Sequence, residues 1–476
     1  MAKFLGIDVG TSSIKAVLVD ERGTLLRQTS REYPLHIPRP MWSEQDPGDW
    51  WAGALDVIRE LGEESPDAIG LTGQMHGSVF LDAQGEVVRR ALLWNDQRTA
   101  AECAEMDATI GAERLRAITC NPPLTGFQAP KVLWLRNHEP EAFARVRQVL
   151  LPKDYIRFKM TGESATDVSD ASGTGLLDVP RRDWSGEMLG ALGLDHLQWP
   201  RVCESFAQTG VTRGVPGLAD GIPVVAGGGD QAASAVGTGA VVEGVVSVSL
   251  GTSGVVFVSL PEPKFHSQGA AHTFCHANGG WHAMGVMLSC GGALRWFRDT
   301  FGKPSYDAIA AEAAAIPAGA EGLTFLPYLT GERCPHNDPH ARAAFLGLTL
   351  AHGSAHLSRA VFEGVSFGLA DGMALLRGLG ARVDEIRVTG GGARNAFWVQ
   401  MLADVFGAPC RTLEMDEGPA LGAAILAGVG IGVWPDVAQA CRSVVRAKSE
   451  VSPSGTEYAA SYAAFRAAYR PTANGG

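Results

Sequence analysis

FLGIDVGTSSIKAVLVDERGTLLRQTS, residues 4–30, alternates runs of Val, Ile and Leu with two tight turns, one at Gly10-Thr11-Ser12 and one at Asp20-Glu21-Arg22-Gly23. Aliphatic and β-branched residues suit a pleated surface and Gly suits turns, so the stretch predicts an antiparallel meander. A helix is expected over 47–61, with Asp46 placed to cap it and Trp50, Trp51, Leu55 and Ile58 at helical spacing. The sheet is expected to resume at 68–72.

The same device recurs much later. Residues 245–250 lead into Gly251-Thr252-Ser253-Gly254, residues 255–260 return, and a further hairpin runs through Asn278-Gly279-Gly280. Helices are expected over 357–379, 395–406 and 420–429, with a strand at 385–389. Two halves that each open on a hairpin around Gly-Thr-Ser imply a duplicated α/β domain. The seam falls near 239–244, dividing the chain into 1–242 and 243–476.

Bulk properties agree with two domains. A chain of 476 residues with 46% hydrophobic residues exceeds one ordinary core and can fill two. Forty basic against 51 acidic residues give a net charge of −11 without any Lys/Arg cluster, which excludes nucleic acid and anionic membrane as expected partners. Nucleotide binding is unaffected by that balance, because backbone amides, helix N-termini and Mg²⁺ supply a local positive field. Eight scattered cysteines lack a CxxC pair and point to a reducing compartment. The N-terminus enters a strand without the apolar core of a signal peptide, and the most apolar stretch, 241–260, is broken by Glu243, Gly244 and Gly251, so a cytoplasmic location without membrane contact is expected. A homodimer is left open.

In Asp8-Val9-Gly10-Thr11-Ser12-Ser13 the amides and hydroxyls after Gly10 are able to converge on an anion, although one such turn alone reads as an ordinary hairpin. Two turns facing across a cleft hold a nucleotide tail from both sides. Here the chain resembles the actin, hexokinase and Hsp70 superfamily, which implies two ribonuclease-H-like domains flanking an ATP and sugar cleft. The resemblance implies ATP contacts from Gly10, Thr11, Ser12, Gly251, Thr252 and Ser253, and a Mg²⁺ ion that Asp8 orients through water. Other nucleotide motifs fit less well: the Gly302-Lys303 step is followed by Pro, so there is no Walker A loop. Gly227-Gly228-Gly229-Asp230-Gln231-Ala232 matches a loose dinucleotide pattern, but the next strand leads to Gly-Thr-Ser and not to an acidic ribose ligand.

Val388-Thr389-Gly390-Gly391-Gly392-Ala393-Arg394-Asn395 puts three glycines between a strand and a helix, which serves either a flat base lying on bare backbone or a close strand-to-helix crossing. The segment resembles the adenosine motif of the FGGY carbohydrate kinases, implying roles for Gly390, Gly391, Gly392 and Asn395, with Gly422 in a companion segment. Residues 343–348 and 356–363, AAFLGL and HLSRAVFE, match the family's second signature. Its first signature is met by FQAPKVLWL, 127–135, except that Gln128 stands where Ser, Thr or Pro is usual.

Phosphorylating an alcohol requires its proton to leave as the phosphorus–oxygen bond forms, so a carboxylate is the expected helper. Asp230 follows the apolar strand at 222–226, and read alone it is equally a cap for a helix over 231–236. Its surroundings resemble the GGGD[NQ]A motif of the family, which implies that Asp230 is the general base and faces the metal. Leu71-Thr72-Gly73-Gln74-Met75-His76-Gly77 sits at a strand end. Family members acting on glycerol carry Arg-Glu there, while Met75-His76 resembles the pair in members acting on D-xylulose; His76 would bond a sugar hydroxyl and Met75 pack the carbon chain. Trp94, Asn95, Asp96 and Arg98 resemble the family's sugar-binding WxDxR segment, the alternative being a surface loop with an Asp-Arg ion pair. Residues 325–333 also resemble such members, without an assigned role.

His272, Cys275, His276 and His282 are dense enough to suggest zinc, but on an extended strand Cys275 points away from His272 and His276. The expected reaction is Mg²⁺-ATP plus D-xylulose giving ADP and D-xylulose 5-phosphate, in a cleft that hinges shut. The alternatives are ribulose, gluconate or a polyol as substrate, or an actin-like or Hsp70-like ATPase. The last would show a peptide-binding domain or polymer contacts after the last nucleotide motif, and the residues after Gly422 are too few for a separate domain of ordinary size.

Overall fold

The computed structural model describes residues 1–61, 65–415 and 418–470. Lys3–Val9, Ser13–Asp20 and Leu25–Glu32 form the meander expected from their aliphatic runs. The first two strands are buried almost throughout, whereas the third, rich in Arg, Gln and Ser, is a polar edge that resists pairing with other chains. The Asp20 carboxylate accepts from the amides of Arg22 and Thr24 at 2.9 and 2.8 Å, closing the second turn, where Gly23 takes φ +81°.

Two seven-stranded sheets share one strand plan. The first runs Gln208–Val211, Pro223–Val225, Ala68–Gly73, Lys3–Val9, Ser13–Asp20, Leu25–Glu32, with Gly228–Gly229 also beside Ala68–Gly73. The second runs His272–Cys275, Trp281–Met287, Gly254–Leu260, Gly244–Leu250, Val383–Thr389, Cys410–Leu413, Ala447–Val451. In both, an antiparallel hairpin is followed by a strand parallel to its first arm, reached through a helix: Pro47–Glu60 in one sheet and Ser354–Gly378 in the other. The registers correspond as well, with Asp8 opposite Thr72 and Ser249 opposite Thr389, each two residues before the glycine of its turn. The duplication is therefore real at the level of topology, but only the first copy carries a carboxylate at this position.

Pro47–Glu60 begins as expected, with Asp46 accepting from the Gly48 amide at 2.9 Å. Ser354–Gly378 starts three residues earlier than its apolar pattern suggests, because the His356 ring accepts from the Gly353 amide at 3.1 Å and satisfies the helix entrance.

The helix Gly418–Gly430 lies late in the chain but packs on the first sheet. A Cβ on Gly6 would sit 1.9 Å from the Ala420 oxygen and one on Gly70 equally close to that of Ala423, so these strands touch the helix backbone directly. Phe4, Val17, Ala68 and Val225 share a buried cluster with Leu421, Ile425 and Trp434. The strands of the sheets fall on either side of residue 242, while this helix crosses back; the division at 242/243 is kept as a proposal about the halves. Among the described residues no helix is long and apolar enough to cross a membrane.

Candidate active site

The strand Ala68–Gly73 ends beside Gly228–Gly229, with Thr72 opposite Gly228 and Gly73 opposite Gly229. Gly227 has φ +81° and a Cβ there would lie 1.9 Å from the Leu71 oxygen, so bare backbone is required for the loop to lie on the strand. Asp230 follows as the first residue of the helix Asp230–Thr238. The cap position belongs to Gly229, and the Asp230 carboxylate accepts from the Gln231 amide in the first turn, so it satisfies a helix-end amide while it lies on the wall of a cavity. Burial pushes the Asp230 carboxyl up to about 6, against the lowering effect of its hydrogen bond from the Gln231 amide.

Asp230 lines a cavity of about 350 Å³ together with Asp8, Gly10, Gly251, Ser253, Gly390 and Gly418. Both turns, the proposed base and the first of the three glycines at 390–392 thus meet in one space. The first turn is held from outside: Gln45 Nε2 donates to the Thr11 oxygen at 2.7 Å, Gln74 Nε2 to Gln45 Oε1 at 3.0 Å, and Trp94 Nε1 to Thr11 Oγ1 at 2.9 Å. The second turn rests on the start of the helix Gly291–Thr300, whose Gly291 and Gly292 amides donate to the Gly251 and Thr252 oxygens at 2.8 and 3.0 Å. Thr252, Ser253 and Ser12 stay exposed.

Met75 and His76 adjoin the loop that bears Asp230. A Cβ on Gly229 would lie 2.9 Å from Met75 Cγ, and one on Gly173 would lie 2.5 Å from two atoms of the His76 ring. The ring stacks on Phe127 at 4.7 Å between centroids, and His76 Nδ1 donates to the Gly173 oxygen at 2.6 Å. A carbonyl only accepts, so Nδ1 carries the proton and, in the neutral ring, Nε2 is left as an acceptor. Burial, with the charges of Lys131 and Arg333, lowers the His76 pKa to about 3 and keeps the ring neutral. His76 adopts φ +68°, and the loop is clamped by Lys131 Nζ on the His76 oxygen at 2.8 Å and Gln128 Nε2 on the Gly77 and Leu150 oxygens at 2.9 and 3.2 Å. Gln128, the departure from the family signature, is a buried amide that ties two backbone segments together.

The WxDxR segment divides. Trp94 is 44% exposed and Asn95 Oδ1 is buried without a hydrogen-bond partner. Asp96 and Arg98 are not brought to the cavity. Their side chains are at most 1% exposed, joined at 2.7 Å, with Glu44 at 2.9 Å from the guanidinium and Ser43 donating to Asp96 at 2.7 Å. The ion-pair alternative holds, buried and not on the surface. Asn395 likewise caps Ala396–Phe406, accepting from the Trp398 amide at 3.0 Å, and Gly392 allows close packing on Trp398 and Leu250. Gly390, at φ +78°, alone among the three lines the cavity, and with Thr389 it also borders a second cavity of about 560 Å³ that includes Ala393, Thr412 and Lys448. Gly422 sits where two helices cross, its Cβ position 1.8 Å from the Ala233 oxygen.

Sequence reasoning passed over Ser247, Ser249, Phe257 and Ser234, all lining the cavity. The alternation of Ser with Val in 245–250 was the available signal. His272 bonds Asn121 at 3.2 Å, His276 the Ala240 oxygen at 3.2 Å and Cys275 the Val179 oxygen at 3.5 Å. Among the described residues no group of three or more His, Cys, Asp or Glu is placed to hold a metal ion.

Comparison with known proteins supplies the chemistry's family. Residues 3–237 match the model of the FGGY family of carbohydrate kinases, N-terminal domain, and residues 246–431 that of its C-terminal domain. The chain is 45% identical to the xylulose kinase of Escherichia coli K12 over 438 residues, 90% of each chain. It superposes on the solved xyloylose kinase of Brucella ovis with a TM-score of 0.93 and 37% identity over 98% of each chain. The gluconate kinase of Lactobacillus acidophilus also superposes at 0.93, covering 98% of this chain and 96% of its own, with 26% identity.

Proposed function

We infer the reaction from the premise that this chain belongs to the FGGY family of carbohydrate kinases: it transfers the terminal phosphoryl group of ATP to D-xylulose, giving ADP and D-xylulose 5-phosphate. One observation carries the assignment of the parts. Asp230 shares a cavity wall with both Gly-Thr-Ser turns, while its neighbour Gly229 is packed by Met75 of the sugar loop.

The sugar hydroxyl oxygen forms the new bond to phosphorus as the bond to the ADP oxygen breaks, and the hydroxyl proton passes to the Asp230 carboxylate. A carboxyl held near 6 is ionised at neutral pH yet basic enough to take that proton. Gly10, Thr11 and Ser12 face the phosphates from one side and Gly251, Thr252 and Ser253 from the other, so the chain contributes chiefly positioning and charge stabilisation. Gly390 borders the adenosine end. Met75 packs the sugar carbons, His76 Nε2 accepts from a sugar hydroxyl, Asn95 Oδ1 offers a further acceptor, and the Trp94 ring, its Nε1 held by Thr11, offers an apolar face.

Mg²⁺, when bound, offsets the phosphate charge. Asp8 and Asp230 are the carboxylates on the cavity wall that would face it, and one or two carboxylates completed by phosphate and water are what this ion takes. Both turns and the base come from one chain, so the reaction needs no partner subunit. A cytoplasmic location fits the eight cysteines, none of which is in a disulfide.

Identity of 45% to the Escherichia coli xylulose kinase and 37% to the Brucella ovis protein, against 26% to the gluconate kinase, supports xylulose, as does Met75-His76. ADP release measured with D-xylulose, ribulose, gluconate and glycerol tests the reading. D-Xylulose should give the highest kcat/KM; gluconate or glycerol far ahead of it would refute the substrate, and no sugar-dependent ADP release from any would refute the kinase.

A further inference from the structure

Behind the Asp230 loop lies a fully buried group of charges that the reaction as described does not use. Lys153 Nζ sits 2.7 Å from Asp154 Oδ1, 2.9 Å from Asp167 Oδ1 and 3.5 Å from Asp170 Oδ2, and none of these side chains is exposed. Burying several ions is costly, and their mutual attraction alone does not explain the arrangement. Arg157 extends the group from Asp154 toward Thr209 and the Ala165 oxygen, and Asp167 extends it toward the Asp230 loop. The second oxygen of Asp167 accepts from the Ser169 hydroxyl at 2.5 Å, the Ser169 amide at 2.8 Å and the Ser205 hydroxyl at 2.8 Å. The Ser169 oxygen in turn accepts from the Gly229 amide at 3.1 Å. Gly229 immediately precedes Asp230.

We propose that Ser169 is a positioning residue for Asp230, its hydroxyl oriented by Asp167 and Lys153 so that its oxygen holds the Gly229 amide and aims the carboxylate that follows. The inference rests on the reading of Asp230 as base. The geometry favours an orienting role in three ways. Donating its proton to a carboxylate makes the Ser169 oxygen a stronger acceptor. The contact reaches across 60 residues of chain to the amide of the residue that caps the helix Asp230–Thr238. Gly229 has no side chain of its own: its backbone lies beside Gly73 of the neighbouring strand, and the space its missing Cβ leaves is filled by the flexible Met75 side chain, so the bond to Ser169 is the side-chain contact that holds its amide.

Ser169→Ala leaves the Gly229 amide without its acceptor. In steady-state sugar phosphorylation, kcat should fall about 10- to 100-fold, the size seen when a supporting hydrogen bond to a working group is lost, with the KM for ATP changed less than two-fold. The deciding measurement is the double mutant with Asp230→Asn. If Ser169 acts through Asp230, adding Ser169→Ala to Asp230→Asn costs nothing further; an equal factor in both backgrounds would mean a general structural role and overturn the proposal, as would a normal kcat for Ser169→Ala. Near-normal turnover by Asp230→Asn alone would instead remove the base reading beneath it. Should Ser169→Ala not fold, Ser169→Cys keeps the volume with a weaker acceptor and should give an intermediate kcat; wild-type kcat there would equally overturn the proposal.

Discussion

Replacing Asp230 by Asn should make the protein more stable at neutral pH while abolishing its activity. The carboxyl is lifted from its ordinary 3.8 to about 6 in the fold, chiefly by burial. Because the folded value lies above the unfolded one, the fold favours the protonated form. That contribution is fully present below pH 3.8 and is lost as pH rises through about 6. At pH 7.5 the ionised carboxylate therefore costs about 3 kcal/mol, two pKa units at roughly 1.4 kcal/mol each. Asn is isosteric and neutral, so it escapes this cost. For a chain of this size the entropy of unfolding is about 1 kcal/mol per degree, which makes the expected gain in Tm about 3 °C. Thermal denaturation of both proteins at pH 7.5 and at pH 4 measures it: the variant should melt higher at the first pH, and the gap should close at the second. Equal Tm at pH 7.5, or the same gap at both pH values, would refute the reasoning, because the effect must follow ionisation. Sugar phosphorylation should fall by about 10²- to 10⁴-fold, the usual worth of a general base, with ATP binding retained.

Wild-type kcat/KM for D-xylulose should rise from pH 5 and level off above about 6, since the base must be ionised and His76, held near 3, stays neutral throughout; a flat profile from pH 5 to 8 would count against Asp230. Gly173→Ala puts a Cβ 2.5 Å from the His76 ring and should raise the KM for sugar at least about ten-fold with the KM for ATP unchanged; a shift confined to ATP would contradict the placement of His76. Asp96→Asn weakens a buried pair with Arg98 and should cost about 2 kcal/mol or more in urea denaturation, moving the KM for sugar less than about three-fold. A large KM effect without loss of stability would return Asp96 to the sugar site.

Features encoded within a few consecutive residues were open to reading without coordinates. The two Gly-Thr-Ser turns, the meander and the Asp46-capped helix depend on local periodicity, turn propensity and side chain-to-backbone bonds a few positions apart, so the strand plan and the turns that meet in the cavity follow from the chain itself. Asp230 belongs with them, although only the structure shows that it follows the cap residue Gly229 and combines a bond from the Gln231 amide with a place on the cavity wall. What the sequence left ambiguous are side chains and glycines whose fate depends on a distant neighbour. A glycine that bares backbone for a ligand and one that lets two helices touch look identical in one dimension; Gly390 lines the cavity and Gly422 meets the Ala233 oxygen. Asp96 and Arg98 look like sugar contacts until Glu44 and Ser43 are seen to complete a buried cluster around them. Gln128 looks like a flaw in a signature until its amide is found on the Gly77 and Leu150 oxygens. The helix Gly418–Gly430 packs on a sheet whose strands all lie between residues 3 and 229, because Gly6 and Gly70 leave room for it. Local sequence thus determined the strands, the turns and the place of Asp230 after its glycines, and tertiary packing decided which polar groups face the cavity, because only packing determines whether a side chain's partner is the protein or a ligand.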